Sequence, residues 1–199
     1  PTPITSISAG AGQRPVQHAH IGDFVTGEAY SDWAGIRSTS FLPIFLRGVA
    51  GGRPFESLIG RFVNTWDFTI KPRPFLAYEA YALSAHGATV TVDDQPYHDG
   101  RIDEALYRED LAEIFGEIRR MALLVRGRPV KYAAVYHSQK TKDSCDSPGS
   151  FIRDMSGTFR LLRDLHLPVE FVFDEGLRGS ELEDFELLVD EVLRLGRAV

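Results

Sequence analysis

From Glu56 to Asp103 the chain reads ESLIGRFVNTWDFTIKPRPFLAYEAYALSAHGATVTVDDQPYHDGRID, and this stretch constrains the fold more than any other. Leu58 to Val63 has the length and apolar content of a strand, and its tip is Asn64-Thr65-Trp66-Asp67. A helix pattern follows: Pro72 and Pro74 suit a first turn, Phe75, Leu76, Glu79, Ala80 and Leu83 recur at three and four, and Gly87 lies just past the end. Ala88 to Val92 then alternates β-branched residues as a strand does, and Asp93 to Gly100 is a loop dense in acids, Gln, Pro, His and Gly. Two strands joined by a helical crossover run parallel. Trp66-Asp67 and Asp93-Asp94-Gln95 therefore fall at the same end of one sheet, the end where α/β folds carry their chemistry.

The same rhythm extends to either side. The first twenty residues, rich in Gly, Pro, Ser and Thr, predict a loop. Ile21 to Thr26 predicts a short strand ending at Gly27-Glu28. Ser31 to Val49 predicts a helix with Pro43 inside it, closed by Gly51-Gly52. Asp103 opens a long helix whose buried stripe is Leu106, Leu111, Ile114, Phe115 and Ile118. Arg126-Gly127-Arg128-Pro129 interrupts the pattern and marks a domain boundary, giving one unit over 1–128 and a second over 129–199. In the second unit, Val130 to Tyr136, Val169 to Phe173 and Phe185 to Val189 read as strands, with a helix from Ser150 to Leu165. A helix-like DEVLRLG follows Val189 with no turn residue, whereas a βα connection takes about 2 to 6 residues. Omitted segments are expected there and near Met121 or Lys142, within a longer native protein.

Composition removes several function classes. A net charge of −6, from 22 basic and 28 acidic residues, argues against nucleic acid as a partner. Cys145 is the single cysteine, so no internal disulfide forms and a reduced cytoplasm is the default location. The longest apolar run, Phe41 to Leu46, is far short of the roughly 18 residues of a membrane helix. No signal peptide is recognisable at the start, and no membrane association is expected. His18 and His20 have no carboxylate or Cys at ligand spacing, and no metal is assigned. Cys145 lacks the strand-to-helix elbow of a nucleophile, so the second unit is expected to be non-catalytic.

Carboxylates and indoles at shared strand tips are the ingredients of a sugar site. Glycoside hydrolysis needs two carboxyl groups flanking the scissile bond. Glu28, at a strand tip beside Tyr30 and Trp33, is the candidate general acid. Trp33 and Trp66 offer flat faces to a sugar ring, with core packing as the competing role. Asp67, Asp93, Asp94, Gln95 and His98 are candidate substrate-binding residues, although capping and solvated-loop roles compete for the acids and for His98. Asp93 and Asp94, being adjacent, point to opposite faces if the strand continues. Arg61, inside a strand pattern, reads as an ion-paired structural residue.

Gly27-Glu28-Ala29-Tyr30 with Trp33, Gly60-Arg61-Phe62 with Trp66, Lys71-Pro72, His86-Gly87-Ala88, Asp93-Asp94-Gln95, Asp99-Gly100 and Ile102-Asp103 occur in that order. Their order resembles the last three βα units of barrel glycoside hydrolases related to α-L-fucosidases, in particular a group that carries a β-galactosidase-type trimerisation domain. From Val130 onward, VKYAAVYHSQ and VEFVFDEGL are similar to the start of that domain, a flavodoxin-like fold akin to class I glutamine amidotransferases. The resemblance implies the C-terminal part of a (β/α)8 barrel followed by a flavodoxin-like unit. It implies a hydrolase acting on terminal α-L-fucosides or similar glycosides, no cofactor, and a homo-oligomer, most simply a trimer. In such enzymes the nucleophile is an aspartate after the fourth barrel strand, which places it outside these residues. A non-catalytic carbohydrate-binding or oligomerisation module is the rival expectation.

Overall fold

Four parallel strands laid side by side in sequence order make the first sheet: β1 (Thr5–Ile7), β2 (Phe24–Glu28), β3 (Phe55–Gly60) and β4 (Thr89–Asp93). The structure, a computed structural model, describes residues 5–7, 14–63, 69–125, 127–178 and 180–190. The crossovers are α1 (Pro15–Ala19), then α2 (Ser31–Ala34) with α3 (Ser38–Ala50), then α4 (Arg73–Ala85). β1 and α1 lie where the composition predicts a loop, because a three-residue strand and a five-residue helix are too short for any period to register. The single helix expected over 31–49 is two, since Gly35 takes φ 78°, a left-handed backbone that glycine adopts without steric cost. Pro43 sits inside α3 as expected.

The first sheet is unequal on its two sides. Val25, Phe55, Ser57 and Ile59 are buried on the side of Gly27, which packs against Leu42 and Leu46 of α3. Glu56, Leu58 and Thr91, on the opposite side, are only half-buried. After β4 the helix from Glu104 passes through a π-helical segment, Leu106–Leu111, before α5 (Ala112–Val125). That wider turn coexists with burial of Leu106, Leu111 and Ile114 while Tyr107 reaches back to the tip of β4.

A second, separate sheet has the order β6-β5-β7, all parallel, from β5 (Ala133–His137), β6 (Val169–Phe173) and β7 (Leu187–Asp190). Two helices join β5 to β6: α6 (Gln139–Ser144) and α7 (Pro148–Asp164). Ser138 and Ser147 cap them, each hydroxyl accepting from a backbone N–H three residues on, at 3.1 and 3.3 Å. β6 has the bounds its apolar run predicts, and β5 starts later than Val130 because residues 128–132 are exposed.

α3 joins the two sheets. One side packs on β2 and β3, and the other lies against the edge strand β6 so closely that a Cβ on Gly48 would stand 2.6 Å from the Phe171 carbonyl oxygen. Phe41 and Phe45 meet the Phe171 ring edge-on at 5.2 and 5.4 Å. Arg47 pairs with Glu170 and donates to the His86 carbonyl at 2.7 Å. Among the described residues, no helix is long and apolar enough to cross a membrane.

Candidate functional site

The carboxyl ends of β2, β3 and β4 share one rim, because the parallel register aligns Glu28 with Leu58, Leu58 with Thr91 and Gly60 with Asp93. Glu28 and Asp93 occupy the same face of the sheet, two strands apart and offset by two residues. At about 4.8 Å per strand and 3.3 Å per residue, their Cα atoms are roughly 12 Å apart. The Glu28 side chain is exposed and has no hydrogen bond or ion pair with another described residue.

Asp93 and Asp94 part company as strand alternation requires. Tyr30 Oη donates to Asp93 Oδ2 at 2.5 Å, with its ring lying against Gly60. Asp94 turns toward Arg61 and Tyr107: Tyr107 Oη donates to Asp94 Oδ2 at 2.5 Å, and Arg61 Nε is 2.7 Å from Oδ1. Asp94 Oδ1 also accepts from the Gln95 backbone N–H at 2.8 Å. Burial, then the bonded carboxylate, pushes both phenols up: Tyr30 well above the usual tyrosine range, Tyr107 to about 12. Both hydroxyls therefore stay protonated donors at neutral pH.

Beneath this rim lies a buried ion cluster. Lys71 Nζ donates to both carboxylate oxygens of Glu79 at 3.1 Å and stands 3.1 Å from Asp32 Oδ1, while Ser31 Oγ donates to Glu79 Oε1. Lys71 and Glu79 are completely buried, so each needs the other to offset the loss of water. The cluster ties the start of α2, the entry to α4 and α4 itself into one support.

Of the expected site residues, Glu28, Asp93, Asp94 and Gln95 lie on this rim, and His98 is exposed in the loop beyond it. Trp66 and Asp67 lie outside the described residues, as does the side chain of Trp33. Sequence reasoning missed Tyr30, Lys71 and Tyr107 as members of the site, whereas Arg61, expected to be ion-paired, faces Asp94 at 2.7 Å. Glu79 carried a readable signal, a carboxylate in the apolar register of a helix, which must be buried with a partner. Among the described residues no group of three His, Cys, Asp or Glu side chains is placed to hold a metal.

No family model matches the chain, and no curated protein matches it. Its fold is similar to that in a crystal structure of a GH5_18 from Bifidobacterium longum subsp. infantis, with a TM-score of 0.52 and 16% sequence identity over 88% of this chain. The chain spans half the length of that protein, 50%. At this identity the likeness is one of fold.

Proposed function

We propose that the rim of β2–β4 binds a saccharide, and that the intact protein hydrolyses a terminal glycoside, an α-L-fucoside or a β-galactosidase-type substrate. The observation that carries this reading is the placement of an exposed acid, Glu28, on the same sheet face and at the same strand ends as Asp93. Four in-order parallel strands with α3 packed on one side are what an arc of a (β/α)8 wall requires, and the fold likeness to a glycoside hydrolase supports that reading. Glu28 acts as acid/base, an aspartate outside these residues acts as nucleophile, and Trp33, Trp66, Asp67, Gln95 and His98 complete the sugar pocket. The strand order β6-β5-β7, which is 2-1-3 counted from β5, supports a flavodoxin-like second unit from residue 129 and through it a homo-oligomer, a trimer by the resemblance.

The test is a screen of the full-length native protein against nitrophenyl glycosides, with Glu28→Gln alongside. Loss of an acid/base group lowers turnover about 10²–10⁴-fold. Unchanged turnover removes Glu28 from the chemistry. One observation favours a second reading, a carbohydrate-binding module without catalysis: Asp93 and Asp94 are both held by internal donors. That reading predicts saccharide binding with no turnover of any glycoside.

A further inference from the structure

Asp94 to Asp103 join β4 to the helix that begins at Glu104, and none of these residues is in a helix or strand. Such a segment keeps one shape only if side chains fix it, because every ordered residue gives up backbone freedom. Its tip is a turn in which the Gly100 N–H donates to the Tyr97 carbonyl at 2.8 Å and the Tyr97 N–H donates to the Arg101 carbonyl at 2.9 Å. Arg61, fully buried just past β3, reaches the loop at three places. Its Nε stands 2.7 Å from Asp94 at the start, its guanidinium carbon lies 5.2 Å from the centre of the Tyr97 ring in the middle, and its Nη1 is 3.9 Å from Asp103 at the end. The Phe62 ring centre is 4.3 Å from the same carbon. The root of the side chain is fixed as well: the Arg61 N–H donates to the Asp93 carbonyl at 3.0 Å, and the Arg61 carbonyl accepts from the Lys71 N–H at 2.9 Å.

We infer that Arg61 is a positioning residue: it holds the Asp94–Asp103 loop in one shape and so sets where Gln95 and His98 stand beside the rim. The inference rests on the saccharide reading of the rim for what the loop serves. A guanidinium is a flat cation, able to answer carboxylates along its edge while its face meets an aromatic ring. A lysine ammonium is a point charge and cannot do both. The guanidinium offers no surface of its own to a ligand, so its effect on binding passes through the loop. Gln95, one residue past the Arg61–Asp94 contact, lines a cleft with Gly60 and Asp93 at the strand ends, and His98, one residue past Tyr97, is exposed at the turn. Both are next neighbours of a residue that Arg61 fixes. Glu28 stands on β2, outside the loop, so a loosened loop weakens binding and spares the chemical step.

The test is amide hydrogen exchange on the full-length native protein, compared among wild type, Arg61→Lys and Tyr97→Leu. Tyr97→Leu removes the ring from a half-buried position and leaves Asp94 and Asp103 in place, so it decides the matter if Arg61→Lys fails to fold. The amides at positions 97 and 100 should exchange about 10-fold faster or more in each variant, the loss of a desolvated cation–π contact, while those of β3, β4 and α4 keep their wild-type rates. Trypsin should cut faster after Arg101, which is exposed. Turnover of nitrophenyl α-L-fucoside and nitrophenyl β-galactoside gives the second readout: KM should rise several-fold at unchanged kcat. Faster exchange spread evenly over β3, β4 and α4 overturns the inference. A loop that exchanges at its wild-type rate does so too, as does a loosened loop with unchanged KM. A loosened loop in a protein that turns over no glycoside keeps the clamp and discards the hydrolase. Turnover that depends on Glu28 with an unaltered loop does the reverse.

Discussion

Tyr30 and Asp93, 63 positions apart, meet across the tip of β3 in a 2.5 Å hydrogen bond that joins the ends of β2 and β4. Removing the hydroxyl leaves a carboxylate oxygen without its donor. Tyr30→Phe should lower stability by about 1–2 kcal/mol, a fall in melting temperature of about 2–8 °C for a chain of this size. Calorimetry checks it, and an unchanged midpoint would show that water replaces the phenol at no cost.

The raised tyrosines give an alkaline signature. Tyr107, at about 12 when folded, binds its proton more tightly than the unfolded chain does near 10. Its contribution is therefore complete below pH 10 and is lost as pH rises toward 12. Urea midpoints measured at pH 9 and pH 11.5 should converge in Tyr107→Phe relative to wild type.

His137 and His86 give an acid signature. Burial holds both at about 4, with the Arg47 charge adding to the effect at His86. The unfolded chain takes up these protons near 6.5, so stability is complete above that pH and declines as pH falls toward 4. At pH 5 each histidine should account for up to about 2 kcal/mol of the loss. His137 is packed among Phe45, Phe151 and Phe173, and His137→Phe should flatten part of the slope in denaturant titrations. A slope identical to wild type would mean that His137 is solvated.

Glu79 and Lys71 cannot be separated cheaply. Glu79→Gln should cost up to about 3 kcal/mol, below the cost of a fully unpaired buried charge because Lys71 keeps Asp32 at 3.1 Å. The double variant Lys71→Met with Glu79→Leu should recover most of that loss. Additive single effects in the cycle would contradict a direct pair.

Gly48 tests the junction of the sheets. In an exposed helix, Gly→Ala stabilises by roughly 0.5–1 kcal/mol. Here the new Cβ meets a backbone oxygen at 2.6 Å, so Gly48→Ala should destabilise by about 1–3 kcal/mol instead. The sign of the change in urea midpoint decides it.

What the sequence made legible was local. Alternation and helical period located β4, β6 and α4 within a residue or two, because each carries a full period bounded by Gly or Pro. The rim acids were visible as Glu28, Asp93 and Asp94 at strand tips. Which groups hold Asp93 and Asp94 was not, since Tyr30, Arg61 and Tyr107 reach them through packing between elements distant in sequence. Periodicity says which face of an element is apolar and is silent on which element covers it. For the same reason nothing in Ser38–Ala50 announced that α3 would serve two sheets, although a glycine at 48 and aromatic residues at 41 and 45 are the marks it leaves.

The seat of α3 on β6 also closes one route by which a second chain could add to the sheet. A strand edge with free carbonyls is an invitation for another chain to add its own strand. On the β6 side that invitation is closed by a helix backbone. An intermolecular ribbon built on β6 would first have to expel α3.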